Sequence, residues 1–191
     1  PSESPPKNRN YSEPFRLDYE RWALEIARLS LHEPALVGWS IDDFVWNTKD
    51  LTPARMRAIV DGARAINPTL AFFPCCYFSR TTAEFARDYR DAIDGIFFPY
   101  RAESTRANLV EAGRVEDEVR ILRERLGPEL PVIFMVVNNG IYGTIRMHQE
   151  REYPARVYAT ALNNPDFAAY ARAFGAHGET VSTTEEFAPA F

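Results

Sequence analysis

Two adjacent acids and two adjacent amides are the residues of this chain best suited to chemistry. Asp42-Asp43 closes the apolar stretch ALVGWSI, and Asn138-Asn139 closes PVIFMVV. A carboxylate at a strand end can serve as a general acid or base, a nucleophile or a substrate clamp. Successive strand residues point to opposite faces, so at most one of the two acids enters a shared site. Asp43 follows Trp39 and Ile41 in alternation and is the first choice; Asp42 is the second. The competing reading makes one acid a turn cap and leaves the other in water. The amides raise a different question. An Asn carbonyl oxygen is a neutral ligand for Mg²⁺, and Gly140 permits positive φ or close backbone approach. Asn-Asn-Gly is equally good turn chemistry, and these three residues alone favour the turn.

Other polar groups fall at similar places. Proline cannot donate to a sheet ladder, so Pro74 and Pro99 mark where pairing ends in FFPCCYF and FFPYR. Tyr77, Tyr100 and Arg101 would then lie at the same rim as the acids. They could line a sugar or polyol pocket, or form a structural Arg–Asp pair beside a packed tyrosine. Glu103 is the nearest strand-end candidate for a second carboxylate. The only cysteines, Cys75 and Cys76, are adjacent and are read as reduced core residues of a cytoplasmic protein. His32, His148 and His177 lack metal-ligand spacing, and no CxxC or HExxH occurs.

To position these groups the chain alternates helices and strands. Helical spacing places Trp22, Ile26 and Leu29 on one face after Asp18, and Met56, Ile59 and Ile66 on another after Thr52-Pro53. Helices are also expected over TTAEFARDYRDA, VEDEVRILRERLG, 141–151, NPDFAAYARAFG and from TTEEFAPAF. Strands are expected at ALVGWSIDDF, TLAFFPCCYF, IDGIFFPYR and PVIFMVV, with a fifth near GETV. This pattern predicts an α/β fold with a mostly parallel sheet of about five strands, either a partial (β/α) barrel or an open doubly wound sheet. Both bind ligands beyond the carboxyl ends of their strands. Ile41, Phe72, Phe97, Ile133 and Phe134 are the expected core. Residues 1–17, with four prolines, read as an extended or disordered arm.

Composition bounds the function classes. A net charge of -5 argues against nucleic acid as a partner, and no apolar run reaches the roughly 18 residues of a membrane span. No signal peptide is visible, and the chain does not begin with methionine, the mark of a processed chain or a fragment.

Two resemblances follow. LVGWSIDDF, AINPTLAFFPCCYF and DGIFFPYR, within about 18 to 135, resemble glycoside-hydrolase-like (β/α) barrel proteins. That likeness implies a sugar-directed hydrolase or carbohydrate-binding module using Asp42 and Asp43, with Tyr77, Tyr100 and Arg101 on substrate. PVIFMVVNNGIYGTIRMHQEREYP and NPDFAAYARAFGAHGETVSTTEEFAPAF closely resemble the C-terminal pyrophosphate-binding domain of thiamine-diphosphate enzymes, the acetolactate synthase, benzoylformate decarboxylase and pyruvate decarboxylase group. This resemblance implies thiamine diphosphate and Mg²⁺ as cofactors, with the metal held by Asn139 and the Ile141 carbonyl. Asn138, Gly140, Tyr142 and Gly143 complete the matching segment. Those enzymes bind the cofactor between domains of two subunits, so an oligomer is compatible with the likeness.

The family motif opens with Gly-Asp-Gly, whose aspartate is the charged metal ligand. Here Asp61-Gly62 follows Val60 and Asp94-Gly95 follows Ile93, so the motif is absent. The expected organisation is therefore a hybrid: an arm at 1–17, a partial barrel-like region at 18–130, and a thiamine-diphosphate-enzyme segment at 131–191. It is expected to be inactive alone. The alternatives are the sugar-directed reading and a structural or interaction domain.

Overall fold

The computed structural model describes residues 13–105 and 112–190. Residues 1–12, the greater part of the expected arm, lie outside the described residues; residues 13–17 form turns. The chain divides into a first compact unit running to Phe134 and a second at Met135–Ala190.

The first unit is α/β with parallel strands. After helix α1 (Tyr19–Ser30), β1 (Gly38–Trp39), α2 (Pro53–Ile66), β2 (Ala71–Phe72), α3 (Ala83–Tyr89), β3 (Ile96–Phe97), α4 (Val115–Leu126) and β4 (Val132–Ile133) alternate. The helix starts follow the sequence logic. Asp18, Thr52 and Thr82 each accept a backbone N–H of the first turn, from Arg21, Arg55 and Phe85, and so satisfy donors that have no partner within the helix. Gly127, at φ 83°, follows the end of α4 in a conformation that side chains disfavour.

β1 pairs with β2 in register Trp39↔Phe72, and β3 with β4 in register Phe97↔Ile133, both parallel. A parallel bridge Cys75↔Phe97, with the Phe97 N–H donating to the Pro74 carbonyl and the Cys76 N–H to that of Phe97, joins the two pairs. The strands therefore lie in the order β1-β2-β3-β4, with no reversal. The reversal that creates the binding crevice of a doubly wound sheet is absent among the described strands.

Ile41, Phe44, Leu51, Met56, Leu70, Phe72, Ile96 and Leu122 are fully buried between strands and helices. Three expectations need correction. On α1 the buried residues are Tyr19, Ala23, Ala27 and Ser30, while Leu29 is exposed. Small side chains at Ala23 and Ala27 let the helix approach the core, and the larger ones flank the contact. Phe97 and Ile133 are half-buried. Phe134 is 46% exposed, and so are Met135, Val136 and Val137. Pairing in this most apolar stretch stops at Ile133, and among the described residues β3 is the one strand that pairs with β4. The apolar run was a poor guide to burial where no second neighbour covers it.

The second unit holds α5 (Gly143–Glu152), α6 (Phe167–Ala173), α7 (Thr184–Ala190) and an antiparallel bridge Ile141↔Ala161. The expected strand near Gly178–Val181 does not form; four strands are present among the described residues. Only Thr160 and Ala168 are buried in this unit, so it has almost no core of its own. No described helix is long and apolar enough to cross a membrane.

Candidate functional sites

The ends of β1, β2 and β3 bring together several of the residues singled out in the sequence. β1 runs into Asp42 and Asp43, and Asp43 opens a short 3-10 turn at Phe44–Trp46. Asp43 is left-handed, at φ 50° and ψ 28°, a region non-glycine residues seldom occupy. In that conformation its Oδ1 accepts the Tyr77 hydroxyl at 2.8 Å, while Asp42 Oδ1 accepts the Asp43 N–H at 3.0 Å. Asp43 thus reaches Tyr77, and Asp42 lies near Cys75, both in the segment that follows β2. The Arg101 guanidinium lies over the Tyr77 ring, 5.4 Å from its centroid. Tyr100 packs edge-on against Phe98 at 6.2 Å, on the side of the aromatic core. Glu103 Oε2 accepts the Ser79 N–H at 2.7 Å, which ties the β3 end to the β2 end.

Sequence reasoning missed Trp46 and Arg80. Trp46 is half exposed, its ring 6.3 Å from that of Tyr77, and Arg80 stacks over it at 4.6 Å. A tryptophan three residues after a strand-end aspartate was the available signal.

Burial pushes the Tyr77 phenol up to about 12, and the hydrogen bond to Asp43 adds to the shift. Burial also pushes the Cys75 thiol up to about 11, helped by the nearby aspartates, and Cys76 still higher. Both cysteines are free, and neither has the lowered pKa of a reactive thiol. The folded-state pKa of Tyr77 lies above its ordinary value of 10. Its contribution to stability is thus complete below about pH 10 and is lost as pH rises through about 12. In an alkaline titration followed by tyrosinate absorbance, Tyr77 should ionise among the last tyrosines. Asp43→Asn should bring it down. An unchanged titration in that variant would place the cause in burial alone.

The second candidate site is the Asn138–Gly143 segment. Asn138 Oδ1 accepts the Gly140 N–H at 3.3 Å and the Asn164 side-chain amide at 2.7 Å. Asn139 Oδ1 accepts the Ile141 N–H at 3.1 Å, and Gly140 has φ 66°. These are asparagine turns, the structural role open from the sequence. The bridge adds a geometric fact. The Tyr142 N–H donates to the Thr160 carbonyl and the Leu162 N–H to that of Gly140. Ile141 and Ala161 therefore form the pair whose own N–H and C=O groups point away from each other's strand. The Ile141 carbonyl and the Asn139 amide lie on the same outer edge, where two neutral oxygens could meet a cation. Tyr142 is exposed, and Gly143 begins α5 with a Cβ position 3.7 Å from Asn139 Nδ2.

A divalent cation carrying a diphosphate needs more than this. Among the described residues, no three His, Cys, Asp or Glu side chains cluster as metal ligands. Asp94, half of one Asp-Gly pair, is already committed. Its Oδ1 accepts from Arg64 at 2.8 Å and its Oδ2 from the Phe72 N–H at 2.7 Å. Asp61, in the other pair, is exposed within α2. Among the described residues, no acidic cluster completes a Mg²⁺–diphosphate site. His148 is exposed beside Arg151, and His177 pairs with Glu179.

Comparison with known proteins bears on the second site. No solved structure matches the chain. The chain is 40% identical over 63 residues to YdaP of Bacillus subtilis (strain 168), whose name describes a thiamine pyrophosphate-containing protein. That stretch is 33% of this chain and 11% of the relative, so the chain spans about a tenth of the relative's length. Residues 125–191, from the last turn of α4 onward, match the family model described as thiamine pyrophosphate enzyme, C-terminal TPP binding domain.

Proposed function

We propose that residues 131–191 are the diphosphate-side segment of a thiamine-diphosphate enzyme of the decarboxylase or carboligase type, joined to a parallel α/β unit at β4, and that the chain is inactive alone. The observation that carries this reading is the family match over 125–191, which includes the Asn139–Ile141 edge. On that edge Asn139 and the Ile141 carbonyl are the metal-side donors, while Asn138, Gly140, Tyr142 and Gly143 shape the turn and the start of α5. Both donors are neutral. A diphosphate is highly charged, and Mg²⁺ must offset that charge in near-octahedral geometry. Without a carboxylate, desolvation of the ion is not offset. A carboxylate from another polypeptide would complete the set, and the small core of the second unit is consistent with a partner surface.

Calorimetric titration of the chain with Mg²⁺ and thiamine diphosphate tests this. The expected result is no saturable binding near ~µM, the affinity that corresponds to about -8 kcal/mol. Micromolar binding by the chain alone, lost in Asn139→Ala, would show that the donor set is complete. The inactive reading would then fall.

A further inference from the structure

We propose that the strip Arg80–Trp46–Tyr77–Arg101 at the ends of β1, β2 and β3, exposed at Arg80, Trp46 and Arg101 and partly buried at Tyr77, binds an anionic sugar, a hydroxylated ring carrying a carboxylate or a phosphate. This inference stands apart from the thiamine-diphosphate reading, which concerns other residues.

The strip is continuous. The Arg80 guanidinium lies 4.6 Å from the Trp46 ring centroid, Trp46 lies 6.3 Å from Tyr77, and Arg101 lies 5.4 Å from Tyr77. The two rings are inclined at 54°, so they form an angled apolar face rather than a closed stack. Half of Trp46 remains open to water, although a tryptophan in a core-forming segment usually buries most of its surface.

The anion preference rests on the arginines. Several arginines of this unit meet acids, Arg55 with Glu20, Arg64 with Asp94 and Arg120 with Glu124, and Arg90 and Arg125 donate to backbone carbonyls. The Arg80 and Arg101 guanidinium groups have no hydrogen bond or ion pair among the described residues. A guanidinium lying over a ring keeps N–H donors that can take a carboxylate or phosphate in a bidentate grip.

The hydroxyl preference rests on Asp43. One of its oxygens accepts from Tyr77, and the other has no partner among the described residues. It can accept from a ring hydroxyl beside the aromatic face. The backbone is bent to this arrangement at both ends. Asp43 and Ala102, which follows Arg101 directly, are both non-glycine residues at φ 50°. Left-handed conformations are disfavoured for non-glycine residues and tend to persist where they aim functional groups.

The test is calorimetric titration of the full chain with three probes: a glucuronate-containing disaccharide, glucose 6-phosphate and cellobiose. At least one anionic probe should bind saturably, and cellobiose at least tenfold more weakly. The probe that binds identifies carboxylate or phosphate as the recognised group. Arg80→Gln and Arg101→Gln should each weaken binding at least tenfold with the thermal midpoint unchanged, since both side chains are exposed. Equal affinity for cellobiose overturns the proposal. So does wild-type affinity in both arginine variants, or no saturation by either anionic probe up to about 10 mM.

Discussion

Gly95→Ala should lower the unfolding free energy by about 3 kcal/mol, more than any surface substitution in this chain. A Cβ at Gly95 would lie 2.7 Å from the Pro131 carbonyl oxygen, 2.8 Å from Pro131 Cγ and 3.0 Å from the Phe73 ring. The first of these atoms is backbone and cannot rotate away. It is also the acceptor of the Ile96 N–H at 3.0 Å, the bond that starts the β3–β4 ladder. Relief requires β4 to retreat, which costs that bond, worth about 1 kcal/mol, as well as about 1–3 kcal/mol of overpacking. Urea denaturation checks the value, and a loss below about 1 kcal/mol would mean that β4 yields freely. Gly95 is adjacent to Asp94, which in turn accepts the Phe72 N–H. This Asp-Gly pair thus serves strand packing, a role its sequence does not distinguish from metal binding.

That pair shows what a sequence reveals here and what it conceals. The alternation of helices and strands was legible because caps and apolar spacing are local: Thr52-Pro53 and Thr82 start their helices where expected. Asp43 was legible as a strand-end residue through its alternation with Ile41. Its partner Tyr77 lies 34 positions away, and no spacing rule encodes that meeting. Trp46 and Arg80 escaped notice for the same reason, since an arginine stacked on a tryptophan has no local signature. Apolar runs misled in the opposite sense. Phe134 to Val137 read as buried strand, yet burial depends on a neighbour that residues 131–137 cannot name. The Asn139 turn occupies a middle position. Its residues fit a turn and a metal edge alike, and only the Ile141↔Ala161 bridge fixes which way the second carbonyl points.

Phe44→Ala should cost about 3–5 kcal/mol and should disturb the strand-end strip as well as the core. Phe44 is fully buried, with its ring edge-on to Phe72 at 5.9 Å, Phe85 at 6.1 Å and Tyr89 at 5.4 Å. Those partners come from β2 and α3, so one ring joins the Phe44–Trp46 turn to both of these elements. Truncation leaves a cavity among rigid aromatics that collapse poorly, which places the cost in the upper part of the range for large-to-small changes. Phe44→Leu keeps most of the apolar volume and should cost clearly less. Phe134→Ala, at a half-exposed ring, should cost less than about 1 kcal/mol, although the sequence marks both as strand phenylalanines. The functional consequence follows from position. Phe44 is the residue after Asp43 and anchors the turn that holds Asp43 at φ 50° against the Tyr77 hydroxyl. With the ring gone, that turn can relax, Tyr77 loses a charged acceptor, and its phenol should ionise below about 12. Denaturation and alkaline titration of the same variant separate the two effects. A large stability loss with an unmoved Tyr77 titration would show that the strand-end turn is held by its own hydrogen bonds, independently of the core beneath it.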